Sequence, residues 1–141
     1  MQIRDVMTAN PTTLTPADTI QSAARLMRDQ DTGAVPVVEN GRVIGMVTDR
    51  DIVVRAVAEG DQSSRPVRDI LTTNLVSVTS ATSTGDAAEL MSENQVRRLP
   101  VIDNGVLVGI VSIGDIAVKE GKDKRSGDTL QSISEGVKER G

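Results

Sequence analysis

Residues 34–48, Ala-Val-Pro-Val-Val-Glu-Asn-Gly-Arg-Val-Ile-Gly-Met-Val-Thr, decide the fold, and residues 99–112, Leu-Pro-Val-Ile-Asp-Asn-Gly-Val-Leu-Val-Gly-Ile-Val-Ser, repeat the message. In the first stretch two apolar runs, Ala34 to Glu39 and Arg42 to Thr48, flank Asn40-Gly41. Asn-Gly suits the two positive-φ positions of a tight hairpin turn, and the flanking runs are rich in β-branched residues. The second stretch has the same plan, Leu99 to Asp103 and Val106 to Ser112 around Asn104-Gly105. Two β-hairpins are therefore predicted.

Laying one hairpin on the other sets a register in which Arg4-Asp5 meets Arg68-Asp69, an offset of 69 − 5 = 64. The register holds without a gap. Ala23-Ala24, Leu26-Met27, Pro36-Val37, Gly45, Val47 and Asp51-Ile52 recur as Ala87-Ala88, Leu90-Met91, Pro100-Val101, Gly109, Val111 and Asp115-Ile116. A unit this long, present twice, reads as a duplicated half-domain and not as an open array.

Working outward, each copy opens with a short amphipathic segment, Ile3 to Met7 or Val67 to Leu71, then an extended one through Thr12 to Thr15 or Val76 to Thr79. A helix follows. In copy one Thr15-Pro16-Ala17-Asp18 offers a cap and an early proline, and Ile20, Ala23, Ala24 and Met27 form an apolar stripe. Ala87, Ala88, Leu90 and Met91 supply that stripe in copy two. After each hairpin a second helix is expected, from Asp49 to before Gly60 and from near Ile113. The expected division is copy one over 1–59, a polar linker over 60–66, copy two over 67–119, and a charged, mobile tail over 120–141 in which Thr129 to Val137 could form a short helix.

Composition removes whole classes of function. The 141 residues include no Cys and no His, which eliminates disulfides, thiolate or imidazole metal sites, cysteine nucleophiles and the usual general base near neutral pH. Twenty acidic residues outweigh sixteen basic ones, for a net charge of −4, and there are no aromatic side chains. Nucleic acid is thus an unfavourable partner on both charge and stacking grounds. No apolar stretch approaches the roughly 20 residues of a bilayer span, and the start Met-Gln-Ile-Arg-Asp-Val-Met-Thr lacks a signal pattern. A cytoplasmic protein without a membrane role is expected, its core built from Val, Ile, Leu, Met and Ala.

The motif that could carry chemistry is Gly45-Met46-Val47-Thr48-Asp49-Arg50-Asp51, matched by Gly109-Ile110-Val111-Ser112-Ile113-Gly114-Asp115. In each, a hydroxyl residue stands three positions before an aspartate where a strand gives way to a helix. One reading is a capping box, in which hydroxyl and carboxylate each bond a backbone N–H of the first turn. The other is a sugar-binding pair facing a cleft, with the helix N-terminus near a phosphate.

These motifs together, Met-Thr followed by Asn-Pro, a helix ending in Leu-Met, then Leu-Pro-Val, Asn-Gly, Val-Gly-Ile-Val-Ser and Asp-Ile, resemble the CBS domain, and two in tandem resemble a CBS pair or Bateman module of the short, stand-alone bacterial type. The resemblance implies an α/β (α+β) fold of two tandem β-α-β-β-α motifs packed with pseudo-two-fold symmetry, with two clefts between them that take adenosine-bearing ligands. It implies that Thr48 with Asp51, and Ser112 with Asp115, hold ribose. It implies also that Thr12 and Thr13 with Val35 and Pro36, and Val76 and Ser77 with Leu99 and Pro100, line the adenine. Arg50 in copy one and Arg97-Arg98 in copy two have no counterparts in the other copy, where Gly114 and Gly33-Ala34 stand. Arginines at the mouth of a sugar pocket can fork onto phosphates, so unequal affinities are expected.

The function expected is regulatory sensing of AMP, ADP or ATP, with no obligatory cofactor, no metal and no catalysis. The protein would act as a homodimer or through a protein partner regulated in trans. The alternative is a structural or interaction module in which the hydroxyl–aspartate pairs are caps only.

Overall fold

The computed structural model describes residues 1–60 and 63–123. The expected tail helix and part of the linker lie outside them. The elements are a 3-10 turn at Ile3–Asp5, β1 (Thr8–Ala9), α1 (Ile20–Gln30), β2 (Ala34–Glu39), β3 (Arg42–Thr48), α2 (Asp49–Arg55), 3-10 turns at Val57–Glu59 and Val67–Asp69, α3 (Thr84–Asn94), β4 (Arg98–Asp103), β5 (Val106–Ser112) and α4 (Ile113–Asp123). No described helix is long and apolar enough to cross a membrane.

Both hairpins form where the sequence places them. β2 pairs antiparallel with β3 and β4 with β5. Asn40 and Gly41 sit at φ 53° and 78°, and Asn104 and Gly105 at 51° and 80°, so each turn uses the left-handed conformations that Asn and Gly tolerate best. The register shifts once in each hairpin, at Val37/Val38 and at Val101/Ile102, an irregularity that the repeat preserves.

The chain divides into two compact units whose boundaries do not follow the copies: one is residues 11–75, the other residues 1–10 with the chain from Val76 onward. Each unit keeps the body of one copy and takes its lead-in segment from the other. In the unit of residues 11–75, Leu14 runs parallel beside β2, and Thr72 pairs with Met46 on the far side of β3. In the second unit Val78 runs parallel beside β4, and β1 pairs with β5 through Thr8↔Ile110 and Ala9↔Gly109. The repeat thus extends to the exchange of segments, since 8 + 64 = 72 and 46 + 64 = 110.

That exchange explains two glycines. A Cβ on Gly45 would lie 2.7 Å from the Thr72 carbonyl oxygen and overlap the Leu71 side chain; one on Gly109 would lie 2.9 Å from the Thr8 carbonyl oxygen. Only glycine lets the exchanged strand lie this close.

It also relocates one helix start. Thr15-Pro16-Ala17-Asp18 is a turn and not the cap of α1. Asp18 carboxylate accepts from the Thr15 amide at 2.8 Å, while the Asp18 and Pro16 carbonyls accept from the amides of Val67 and Arg68. Thr19 is the cap, its hydroxyl accepting from the Ser22 amide at 3.0 Å. Backbone groups that a longer helix would have used internally are bound by the incoming segment instead.

Each unit has its own aliphatic core. Leu14, Ile20, Ala23, Val35, Val37, Val47, Val67 and Ile70 are buried in one; Ile3, Ala87, Met91, Leu99, Val101, Val111 and Ile116 in the other. Ala24, expected on the apolar stripe of α1, is exposed, and Leu26 covers that edge half-buried.

Candidate functional site

Both hydroxyl–carboxylate pairs form at the junction of the hairpin's second strand with the following helix. Thr48 Oγ1 accepts from the Asp51 amide at 3.0 Å, and Asp51 Oδ2 accepts from the Thr48 amide at 3.0 Å. Ser112 and Asp115 make the same two bonds at the same distances. The capping box is therefore literal in both copies, and each carboxylate keeps lone pairs for further donors.

The hairpin registers place the first residues of β2 and β4 at these junctions. In copy one Ala34 lies opposite Thr48, and the Asp49 amide donates to the Gly33 carbonyl at 2.9 Å. Leu14, which follows Thr12 and Thr13, makes a parallel bridge to β2, its amide donating to the Pro36 carbonyl at 2.9 Å. Thr12 and Thr13 are exposed; Val35 and Pro36 are buried, Val35 within the core. Arg50 is exposed on the first turn of α2.

Copy two repeats this geometry. Arg98 lies opposite Ser112, and the Ile113 amide donates to the Arg97 carbonyl at 2.9 Å, so both arginines flank the start of α4. Neither makes an ion pair with a described residue. Ser77 is exposed, Val76 is half-buried against the core, and Leu99 and Pro100 are buried. Val35 and Leu99 are first of all core residues, as their 2% and 1% exposure shows.

Three contacts were not legible from the sequence. Thr72 Oγ1 donates to the Asp51 carboxylate, 3.2 Å from each oxygen. Arg55 Nε lies 3.8 Å from Asp51 Oδ1, while its Nη1 reaches the Ile70 and Leu71 carbonyls at 3.3 and 3.4 Å. In the other unit the Ser80 hydroxyl donates to Asp103 at 2.6 Å and the Ser80 amide at 2.9 Å. Those two bonds, with a smaller contribution from the charge of Arg4, hold the Asp103 carboxyl below the usual carboxylate range against the opposing effect of desolvation. Thr72 is visible in the sequence as the repeat of Thr8; its carboxylate partner, 21 residues away, is not.

Two copies of a helix, a β-hairpin and a second helix, each with a hydroxyl–carboxylate box where its second helix starts, define a small tandem-repeat α/β module with one candidate site per copy. The chain belongs to the CBS domain family, which matches residues 3–57 and 67–119. It is similar to the CBS domain-containing protein YhcV of Bacillus subtilis, 45% identical over 132 residues that make up 94% of each chain. It is similar also to Hypoxic response protein 1 of Mycobacterium tuberculosis, 39% identical over 81% of each chain.

The solved structure of Hypoxic Response Protein I, with two coordinated zinc ions, has 37% identity and a TM-score of 0.76, covering 84% of this chain and 98% of that one. Having neither His nor Cys, this chain has no imidazole or thiolate donors for zinc. Two further structures are similar at lower identity. The CBS domain pair of protein MJ0100, in complex with 5-methylthioadenosine and S-adenosyl-L-methionine, has 26% identity and a TM-score of 0.79, covering 87% of this chain and 98% of that one. CBSX2 in complex with AMP has 27% identity and a TM-score of 0.76, covering 88% and 98%.

Proposed function

We propose that this is a cytoplasmic regulatory protein that binds an adenosine nucleotide of the AMP, ADP or ATP type and signals through a homodimer or a separate protein partner. The observation that carries the reading is the hydroxyl–carboxylate box at the strand–helix junction in each copy, in a chain similar over 87% and 88% of its length to structures holding adenosine compounds. In this reading Thr48 with Asp51, and Ser112 with Asp115, receive the ribose hydroxyls. Adenine lies against Thr12-Thr13 and Val35-Pro36 in copy one, and against Val76-Ser77 and Leu99-Pro100 in copy two. With the buried side chains committed to the core, backbone groups supply the polar contacts to its edge. Arg50, and Arg97 with Arg98, face the phosphates, where a guanidinium can fork onto two oxygens. Without His or Cys the chain lacks the commonest general base and the strongest nucleophile, which favours binding over turnover.

Thermal unfolding in the presence of AMP, ADP and ATP tests the proposal. A ligand specific for the native state stabilises it by about 2.7 kcal/mol at a hundred times its Kd, so at least one nucleotide at millimolar concentration raises the Tm by several degrees. No shift with any of the three refutes the reading.

A second reading, an interaction module without a physiological nucleotide, is favoured by one observation. Val53, Val54 and Val57 are 58%, 51% and 65% exposed on and just after α2, an apolar group of the kind that marks association surfaces. If this reading holds, Val53→Ser with Val57→Ser lowers the mass measured by light scattering and the nucleotides leave the Tm unmoved.

A further inference from the structure

We infer that Thr72 and Arg55 withhold the Asp51 carboxylate from ligand, so that copy two engages a sugar diol first and copy one only at higher ligand concentration. This rests on the proposed function and adds to it an order of filling and the residues that set it.

Asp51 is 6% exposed and already has two hydrogen-bond donors, the Thr48 amide and the Thr72 hydroxyl placed symmetrically at 3.2 Å from both oxygens, with the Arg55 guanidinium paired to it at 3.8 Å. Arg55 also holds the carbonyls of Ile70 and Leu71, so the segment that delivers Thr72 is fastened from both sides. The strand pairing of Thr72 with Met46, at 2.8 and 2.9 Å, fixes it further. A sugar hydroxyl approaching Asp51 must compete with the threonine hydroxyl for the carboxylate.

Copy two offers a different carboxylate. The positions corresponding to Thr72 and Arg55 are Thr8 and Lys119, since 72 − 64 = 8 and 55 + 64 = 119. Among the described residues neither makes a hydrogen bond or ion pair with Asp115, which is half-buried and held by the Ser112 amide alone. Arg98 lies opposite Ser112 and the Arg97 carbonyl accepts from the Ile113 amide, where copy one has Ala34 and Gly33. Both differences favour copy two for an anionic sugar ligand. Displacing a hydrogen bond to a charged acceptor corresponds to roughly tenfold or more in affinity.

Calorimetric titration of the full chain with AMP tests the order. Wild type shows two steps at least tenfold apart; Asp115→Asn removes the tighter one, and Thr72→Val tightens the weaker one roughly tenfold while the tighter step stays in place. Thr72→Ser keeps the hydroxyl and the wild-type ratio, which separates loss of the hydrogen bond from loss of packing. Thermal melts confirm that each variant is folded, and Arg55→Gln replaces Thr72→Val should the latter not be. Removal of the weaker step by Asp115→Asn, or an unchanged weaker step in Thr72→Val and Arg55→Gln, overturns the inference while leaving the proposed function standing. A wild type that releases no heat with AMP and gains no Tm from it overturns both.

Discussion

Gly45→Ala is expected to destabilise the protein by about 2–4 kcal/mol although it adds a single methyl group. The new Cβ would meet the Thr72 carbonyl oxygen at 2.7 Å, well inside the ~3.3–3.6 Å at which a carbon sits against such an oxygen. Leu71, only 8% exposed and part of the core, blocks the other direction. Relief requires parting the Met46–Thr72 pair, whose two backbone bonds contribute about 1 kcal/mol each, and the overpacking that remains costs about 1–3 kcal/mol. Alanine's smaller unfolded-state entropy returns only about 0.4–1 kcal/mol. Gly85→Ala provides the contrast, because that helical position has open space around it, so the same substitution stabilises by up to about 1 kcal/mol. Denaturant unfolding measures both, followed by far-ultraviolet circular dichroism because the chain has no Trp, Tyr or Phe to report by fluorescence. A loss below about 1 kcal/mol for Gly45→Ala would refute the close approach of the exchanged strand.

Asp103, with its pKa lowered in the folded state, contributes stability that is fully present above its unfolded pKa and is lost as pH falls through the folded one. Asp103→Asn should therefore flatten the acid limb of a stability–pH curve below about pH 4 and leave the neutral region's slope unchanged; an unaltered acid limb would exclude the Ser80 contact as its origin. Gly105→Ala places a side chain at φ 80° with no steric clash, so a loss of about 1–2 kcal/mol from left-handed strain alone is expected in the same unfolding assay. Ser112→Ala removes one bond of the capping box and should cost about 1 kcal/mol in denaturant unfolding, with the far-ultraviolet spectrum of the folded state retained.

The sequence by itself determined the parts of this protein whose causes are local. Asn-Gly turns between apolar, β-branched runs fixed both hairpins to within a residue, the 64-residue offset fixed the duplication, and a hydroxyl three positions before an aspartate fixed both helix starts at Thr48 and Ser112. Each depends on side chains within a few positions of one another, so a linear reading captures the physics. Only the tertiary structure decided which copy each lead-in segment joins. Thr8 lies near residue 12 in sequence but pairs with Ile110, and Thr72 pairs back with Met46, because edge strands are satisfied by whichever unpaired backbone the fold brings alongside. The same long-range choice turned Thr15-Pro16-Ala17-Asp18 from a cap into a docking turn and made Gly45 sterically necessary. It also gave the Asp51 carboxylate internal partners that its equivalent Asp115 lacks among the described residues: two sites alike in sequence differ because a carboxylate's free acceptors depend on neighbours that sequence distance does not reveal.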